Sequence, residues 1–235
     1  MRIELKDVSL ERAGGILAVE GVSCVFDSSV CQATALLGAN GAGKSSLLEG
    51  LVGLVPIRGG SIEVDGVRVE RRQLTWVRSK VGMVFQNADD QLFSHSVGED
   101  VAFGPRNLGL DEAEVERRVR ESLALMGVSG LAERDVSHLS GGEKRRVALA
   151  GVLAMRPEAI LLDEPTSMLD PRACRELAEH LRGLSALQVI ATHDLAFARR
   201  VCDRAVLLQR GRLVAEGPLA DVLERHDLLE ACGLE

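Results

Sequence analysis

Three observations predict an α/β domain with a parallel sheet at its centre, an antiparallel β subdomain at the N-terminus and an inserted helical lobe. The first thirty residues alternate in polarity, as in RIELKDVSL and VEGVSCVFD. Short, continuously apolar runs then recur between helical stretches. They are ATALL (33–37), VGMVF (81–85), AILL (159–162), QVIAT (188–192) and AVLL (205–208). Between Gln86 and Met155 no run reads as a strand. The length of 235 residues suits one domain. We expect its α/β core over 1–86 and 156–235 and its helical lobe over 87–155.

Each element has a local reason. Alternation of period two marks strands with one buried face, which suits the N-terminal segment. Uniformly apolar runs of four to six residues suit strands covered on both faces. In DEAEVERRVRESLALM, Val115, Val119, Leu123 and Met126 form a helical stripe, with Asp111 and Glu114 placed to cap it. Phe93, Val97 and Val101 share helical spacing and read in part as core. In HLSGGEKRRVALAGVLAM, Ser140 and Glu143 have the spacing of a capping box. In LDPRACRELAEHLRGL, Asp170 is the cap, Pro171 the first helical residue, and Cys174, Leu177, Leu181 and Leu184 the inward face.

Composition excludes several classes. Net charge is −7, from 35 acidic and 28 basic residues, which argues against broad nucleic-acid binding. The run Lys144-Arg145-Arg146 reads as a solvated helix face. Five scattered cysteines without a C-x-x-C pair read as reduced and mostly buried, in a cytosolic setting. The charged N-terminus MRIELKDVSL does not resemble a secretory signal. No run approaches the ~18 apolar residues of a membrane span, so a membrane role would need another chain to supply the span.

The chemistry collects at the ends of the apolar runs. LLGANGAGKSSLL fits G-x-x-x-x-G-K-[ST] between a strand and a helix, the setting that motif needs. Its glycines let backbone N–H groups wrap phosphates. Lys44 reaches the β- and γ-phosphates, and the Ser45 hydroxyl is a ligand for Mg²⁺. Gly38, Asn40, Gly41, Ala42, Gly43, Lys44, Ser45 and Ser46 form the candidate nucleotide cradle, within a P-loop NTPase (RecA-like) core. The next runs end in Gln86, in Asp163-Glu164 and in His193. Alone, these read as a polar loop, a charged turn and a helix cap. Beside the phosphate loop, Asp163 becomes the direct or second-sphere holder of Mg²⁺ and Glu164 the acceptor of a proton from the attacking water. His193 can bond the γ-phosphate or the water. Gln86 can touch the metal or water and report the γ-phosphate to the helical lobe. The helix opening at Ser140-Gly141-Gly142-Glu143 is a poor helix start on propensity, yet its bare N-terminus suits an anion.

Five motifs in this order resemble the ATP-binding-cassette (ABC) ATPases over essentially the whole chain. GANGAGKSS is similar to Walker A, AILLDE to Walker B and LSGGE to the signature LSGGQ. SMLD (167–170) is similar to the D-loop, and His193 to the switch histidine. The resemblance implies ATP and Mg²⁺ as ligands and a head-to-tail pair of cassettes, a homodimer or heterodimer. In such a pair Ser140, Gly141, Gly142 and Glu143, with Asp170 of the D-loop, belong to an ATP site shared between subunits. QLFSHSVGEDVAFGPRNLGL and RRVALAGVLAMRPEAILLDEPTSMLDP further resemble the ATPase subunits of energy-coupling-factor (ECF) importers of cobalt, nickel or vitamins. That implies a peripheral protein at the cytoplasmic face of the membrane, contacting a transmembrane subunit through residues near 87–105. A different transporter class, or an ABC ATPase outside transport, is the alternative. Three departures stand out. Arg12 lies about where the family has an aromatic on adenine, Glu143 replaces glutamine, and Met168 replaces the common alanine of the D-loop.

Overall fold

The computed structural model describes residues 1–234. The alternating N-terminus forms two long antiparallel strands, β1 (Arg2–Arg12) and β2 (Ile16–Asp27). Ile3 and Leu5, then Val8 and Leu10 beyond a register shift, are buried in β1, and Val22, Cys24 and Phe26 in β2, so period two holds on each side of the irregularity. β3 (Ala33–Leu37) leaves for a second sheet, while β4 (Ile57–Val64) returns to pair with β1, and β5 (Val67–Arg68) hairpins onto β4 through Asp65-Gly66. This four-stranded sheet has the order β2-β1-β4-β5.

The second sheet has six strands in the order β10-β9-β3-β8-β7-β6. It contains β6 (Val81–Val84), β7 (Ala159–Asp163), β8 (Leu187–Thr192), β9 (Arg204–Gln209) and β10 (Arg212–Pro218). All five apolar runs lie in it, and β3, β6, β7, β8 and β9 pair parallel. Only β10 runs antiparallel, at the edge.

Both faces of this sheet are covered, and its side chains alternate between two cores. Ala35, Leu37, Ile160, Leu162, Ile190 and Leu207 face one core, with α5 (Gly141–Ala154), α6 (Pro171–Arg182) and α7 (Leu195–Val201). Leu36, Leu161, Val189 and Val206 face the other. There they meet α1 (Lys44–Leu51), α2 (Leu74–Lys80) and the antiparallel sheet. The short helices α8 (Leu219–Leu223) and α9 (His226–Ala231) close the first core. Between β6 and β7 the described residues hold α3 (Val97–Asn107), α4 (Glu112–Leu125), α5 and short 3-10 turns, with one isolated bridge from Ser96 to Asp135.

The helix starts obey their capping residues. Asp111 accepts from the Glu114 N–H, Ser140 and Glu143 form a reciprocal capping box, and Asp170 accepts from Arg172 and Ala173. The stripe is core in part, as expected: Val97 and Val101 are fully buried, whereas Phe93 is 64% exposed. The helix begins only at Val97, so helical spacing does not carry back to Phe93. The five cysteines are free; Cys24, Cys202 and Cys232 are buried, while Cys31 and Cys174 are partly exposed. Among the described residues no helix is long and apolar enough to cross a membrane.

One close approach constrains the antiparallel sheet. The β1–β4 register shifts between Lys6 and Ser9, and Gly60 (φ +73°) lies against that bulge. A Cβ at Gly60 would stand 2.2 Å from the carbonyl oxygens of both Lys6 and Asp7. Neither backbone atom can swing away as a side chain would. Gly60→Ala should therefore lower stability by about 2 kcal/mol or more, read as a fall in the urea midpoint.

Candidate nucleotide site at the strand ends

The parallel sheet delivers its polar groups to one edge, beyond the carboxyl ends of neighbouring strands. β3 ends at Leu37, opposite Thr192 of β8, and Asp163 ends β7 opposite Ala191. The loop after β3 turns through Gly43 (φ +103°), which precedes α1; a Cβ there would lie 2.6 Å from the Ala18 carbonyl oxygen. α1 begins at Lys44 with no side-chain cap, so its first N–H groups are left to a ligand.

Lys44, Glu164, Thr192 and His193 form one cluster. The Lys44 side chain is 6% exposed, and its ammonium donates to the carbonyls of Gly38 (2.7 Å) and Ala39 (3.2 Å). It also lies 3.2 Å from Oε1 of Glu164, which is equally buried. The Thr192 hydroxyl donates to Glu164 at 3.3 Å, and His193 Nδ1 stands 3.0 Å from the same carboxylate. The imidazole is 59% exposed and reaches from solvent to a buried acid. Glu164 holds a left-handed backbone (φ +44°), pinned by its N–H bond to the Ala191 carbonyl at 2.9 Å. Such strain persists only where neighbours determine the geometry.

Asp163 fits a cation. It is 3% exposed, and its Oδ1 has no hydrogen-bond partner. Burial raises its carboxyl above the ordinary range, opposed by a hydrogen bond from the Ser45 hydroxyl. An orphaned carboxylate oxygen beside a hydroxyl is a suitable donor pair for Mg²⁺, which keeps several waters and takes one or two protein ligands plus phosphate oxygens. Among the described residues no cluster of three or more His, Cys, Asp or Glu is arranged as a self-sufficient metal cage. The donors present therefore suit an ion that arrives with a phosphate ligand.

The remaining candidates are distributed around this cluster. Gln86 is exposed just beyond β6. Asn40 and Gly41 are exposed at the turn of the phosphate loop, and Ala42 and Ser46 are buried beneath it. The guanidinium of Arg12 donates to the Ser46 hydroxyl (2.7 Å) and to Glu49 (2.6 Å), which holds the end of β1 against the first two turns of α1. At the start of α5, the Ser140 N–H and hydroxyl both bond the Glu143 carboxylate, at 2.8 and 2.7 Å. Those bonds hold the Glu143 carboxyl below its usual range. Gly141 and Gly142 face Met168 and Leu169 of the segment after β7. Asp170 is occupied as the cap of α6, and its carboxyl is lowered by the Ala173 N–H. Among the described residues, no hydrogen bond or ion pair joins Ser140–Glu143 to the phosphate loop.

One reading of the basic run is corrected here. Lys144 pairs with Asp89 at 2.5 Å, but Arg145 is not on a solvated face: it is 5% exposed. Its guanidinium donates to the carbonyls of Phe85, Gln86 and Glu164 and to the Ser167 hydroxyl. Arg145 lies on one helical face with Leu149 and Val152, but Val147, Ala148 and Ala150 are buried as well, so spacing along α5 did not single it out.

Residues 24–167 match the family model described as "ABC transporter". The chain is 44% identical, over 99% of its length and 76% of the relative's, to the energy-coupling factor transporter ATP-binding protein EcfA of Methanothermobacter thermautotrophicus. It is 46% identical, over 94% of its length and 80% of the relative's, to the cobalt import ATP-binding protein CbiO of Rhodobacter capsulatus. Among solved structures, cbiO1 of Clostridium perfringens, described as part of the ABC transporter complex cbiONQ, superposes with a TM-score of 0.83 at 33% identity, covering 99% of this chain and 94% of that one. The chain therefore belongs to the ABC transporter family and is an ABC transporter ATPase, of the group that includes the ECF and cobalt-import ATP-binding proteins.

Proposed function

We propose that this chain is the ATPase subunit of an ECF-type importer and that it hydrolyses ATP at sites completed by a second cassette. The observation that carries the reading is the convergence of Lys44, Ser45, Asp163, Glu164 and His193 at adjoining strand ends. The loop from Gly38 to Ser46 wraps the phosphates with its N–H groups, and Lys44 exchanges the Gly38 and Ala39 carbonyls for phosphate oxygens. That exchange draws the ammonium away from Glu164 and leaves the carboxylate free to accept a proton from the attacking water. His193 orients this carboxylate and reaches the γ-phosphate. Ser45 and Asp163, joined by Gln86 from the exit of β6, are the residues that would hold Mg²⁺, which when bound neutralises charge on the phosphates.

The exposed start of α5 supports the pairing. Its dipole and bare glycines suit an anion, and the partner cassette supplies one as ATP. Ser140 would then trade its capping bonds with Glu143 for the γ-phosphate, with Asp170 nearby. The cargo is a transition-metal ion such as cobalt or nickel, or a vitamin; the cobalt import named for the Rhodobacter capsulatus relative supports the metal-ion reading. The chain then sits peripherally at the cytoplasmic face of the membrane.

Residues 87–105 carry the features expected of the contact with a transmembrane subunit. Phe93 and Phe103 are 64% and 48% exposed and meet edge to face, with ring centroids 4.7 Å apart. Gln91 is committed internally, to the Phe85 N–H and the Ala148 carbonyl, and Asp89 to Lys144. Asp90 remains an exposed carboxylate shortly before Phe93 in sequence.

Three measurements test this reading. Glu164→Gln should retain ATP but lose turnover by ~10²–10⁴-fold and accumulate an ATP-bound dimer by light scattering; wild-type turnover would remove Glu164 from the chemistry. Arg12→Ala should weaken ATP only several-fold in calorimetry, since a guanidinium stacked on adenine at a partly exposed site contributes about 0.5–1 kcal/mol. An unchanged affinity would leave Arg12 as a brace for α1 alone. Asp90→Lys should leave ATP binding by the isolated chain intact while lowering the yield of the membrane complex or uncoupling uptake from hydrolysis. Normal yield and normal reconstituted uptake would place the docking surface elsewhere.

A further inference from the structure

The placement of Arg145 suggests more than a packing role. It belongs to α5, five residues after the Ser140 cap, yet its guanidinium leaves the helix and ends among the strand termini. One nitrogen donates to the Phe85 carbonyl at 2.5 Å. The other donates to the Gln86 carbonyl, to the Glu164 carbonyl at 3.3 Å and to the Ser167 hydroxyl at 2.5 Å. One planar fork thus gathers three segments: the exit of β6, the turn after β7 and the loop leading to α6. A lysine, with its donors at a single point, cannot span the same set of oxygens.

The segment it holds is strained. Glu164 and Met168 both have left-handed backbones, at φ +44° and +63°. Between them the Ser167 N–H donates back to the Glu164 carbonyl at 3.1 Å, the same oxygen that Arg145 approaches. Arg145 therefore fixes both ends of the turn whose first residue is Glu164. It does so from the helix whose first turn is Ser140-Gly141-Gly142-Glu143. Burying a cation is costly, and here it is offset by carbonyls and the nearby charges of Asp163 and Glu164 rather than by a dedicated ion pair. An apolar side chain would fill the space without drawing these segments together.

We propose that Arg145 is a positioning residue that makes the alignment of Glu164 and Gln86 depend on where α5 sits. When α5 and its N-terminal turn engage a partner's ATP, the same rigid helix sets the Glu164 turn through the guanidinium. Displacement of α5 withdraws the fork and releases the turn, so hydrolysis is confined to the engaged state. Arg145 acts through Glu164 and does not itself touch the nucleotide. This inference rests on the assignment of Glu164 as proton acceptor.

The test compares Arg145→Lys, Arg145→Met and Ser167→Ala in the purified chain, with Glu164→Gln alongside. Turnover is expressed per ATP bound, so that a poorly folded fraction does not count. Arg145→Met should lose at least tenfold in kcat and Arg145→Lys a smaller factor, with KM and equilibrium ATP affinity within threefold of wild type. Ser167→Ala, which removes one acceptor and leaves α5 untouched, should lose a few-fold in kcat in the same direction. A purely structural role would lower the active fraction and leave turnover per bound ATP unchanged. If Arg145→Met does not fold, Arg145→Lys and Ser167→Ala decide. Wild-type turnover per bound ATP in the Arg145 and Ser167 variants, with Glu164→Gln slow, overturns the inference alone. Wild-type turnover in Glu164→Gln overturns the reading of Glu164 and the inference with it.

Discussion

The central constraint is a parallel sheet buried on both faces. Leu36 and Leu37, or Leu161 and Leu162, point into opposite cores one residue apart, so neither face can hold polar chemistry. Polar groups are left to the strand ends, where the backbone turns out of the ladder. Parallel pairing then gathers those ends on one side, placing Leu37, Asp163 and Thr192 on adjoining strands. The site follows from the way the core is covered.

Within the site, the protein satisfies its own charges in a way that a phosphate ligand would replace. Lys44 and Glu164 are both buried and stand 3.2 Å apart, and an unpaired charge at either place would be costly. Lys44 also leans on two loop carbonyls, and Glu164 on Thr192 and His193. Asp163 is treated differently. Its buried Oδ1 is left without a partner, and burial raises its carboxyl. The cluster is thus neutralised where a ligand would compete for the charges and left open where a cation would add to them.

The helical segment is bound to this edge by few polar links. Arg145 bonds the strand ends, Lys144 bonds Asp89, and Gln91 bridges the Phe85 N–H and the Ala148 carbonyl. All three join α5 to the chain just after β6. Gln86 at the exit of β6 and the surface that carries Phe93 and Phe103 consequently lie along one braced stretch. The coupling proposed above needs no long path, because its two ends are separated by only a few residues of chain.

Much of this was legible in the sequence because the deciding forces are local. Continuous apolar runs marked five strands of the central sheet, and Ser140, Asp111 and Asp170 marked helix starts, since a cap satisfies N–H groups two or three residues away. The phosphate loop was readable because its chemistry needs consecutive backbone groups. Other features were local but less conspicuous. β4 and β5 meet at Asp65-Gly66, and β9 and β10 at Arg210-Gly211, short turns that the apolar count passes over. What the tertiary structure alone decided is which polar residues face inward. Arg145 sits in a basic run like any solvated helix face, and Phe93 sits near an apolar stripe, yet the first is buried and the second exposed. A cation is buried only where distant chain supplies oxygens to receive it, and an aromatic is covered only where a neighbouring element arrives. Both conditions depend on segments far apart in sequence, so periodicity along one helix could not contain them.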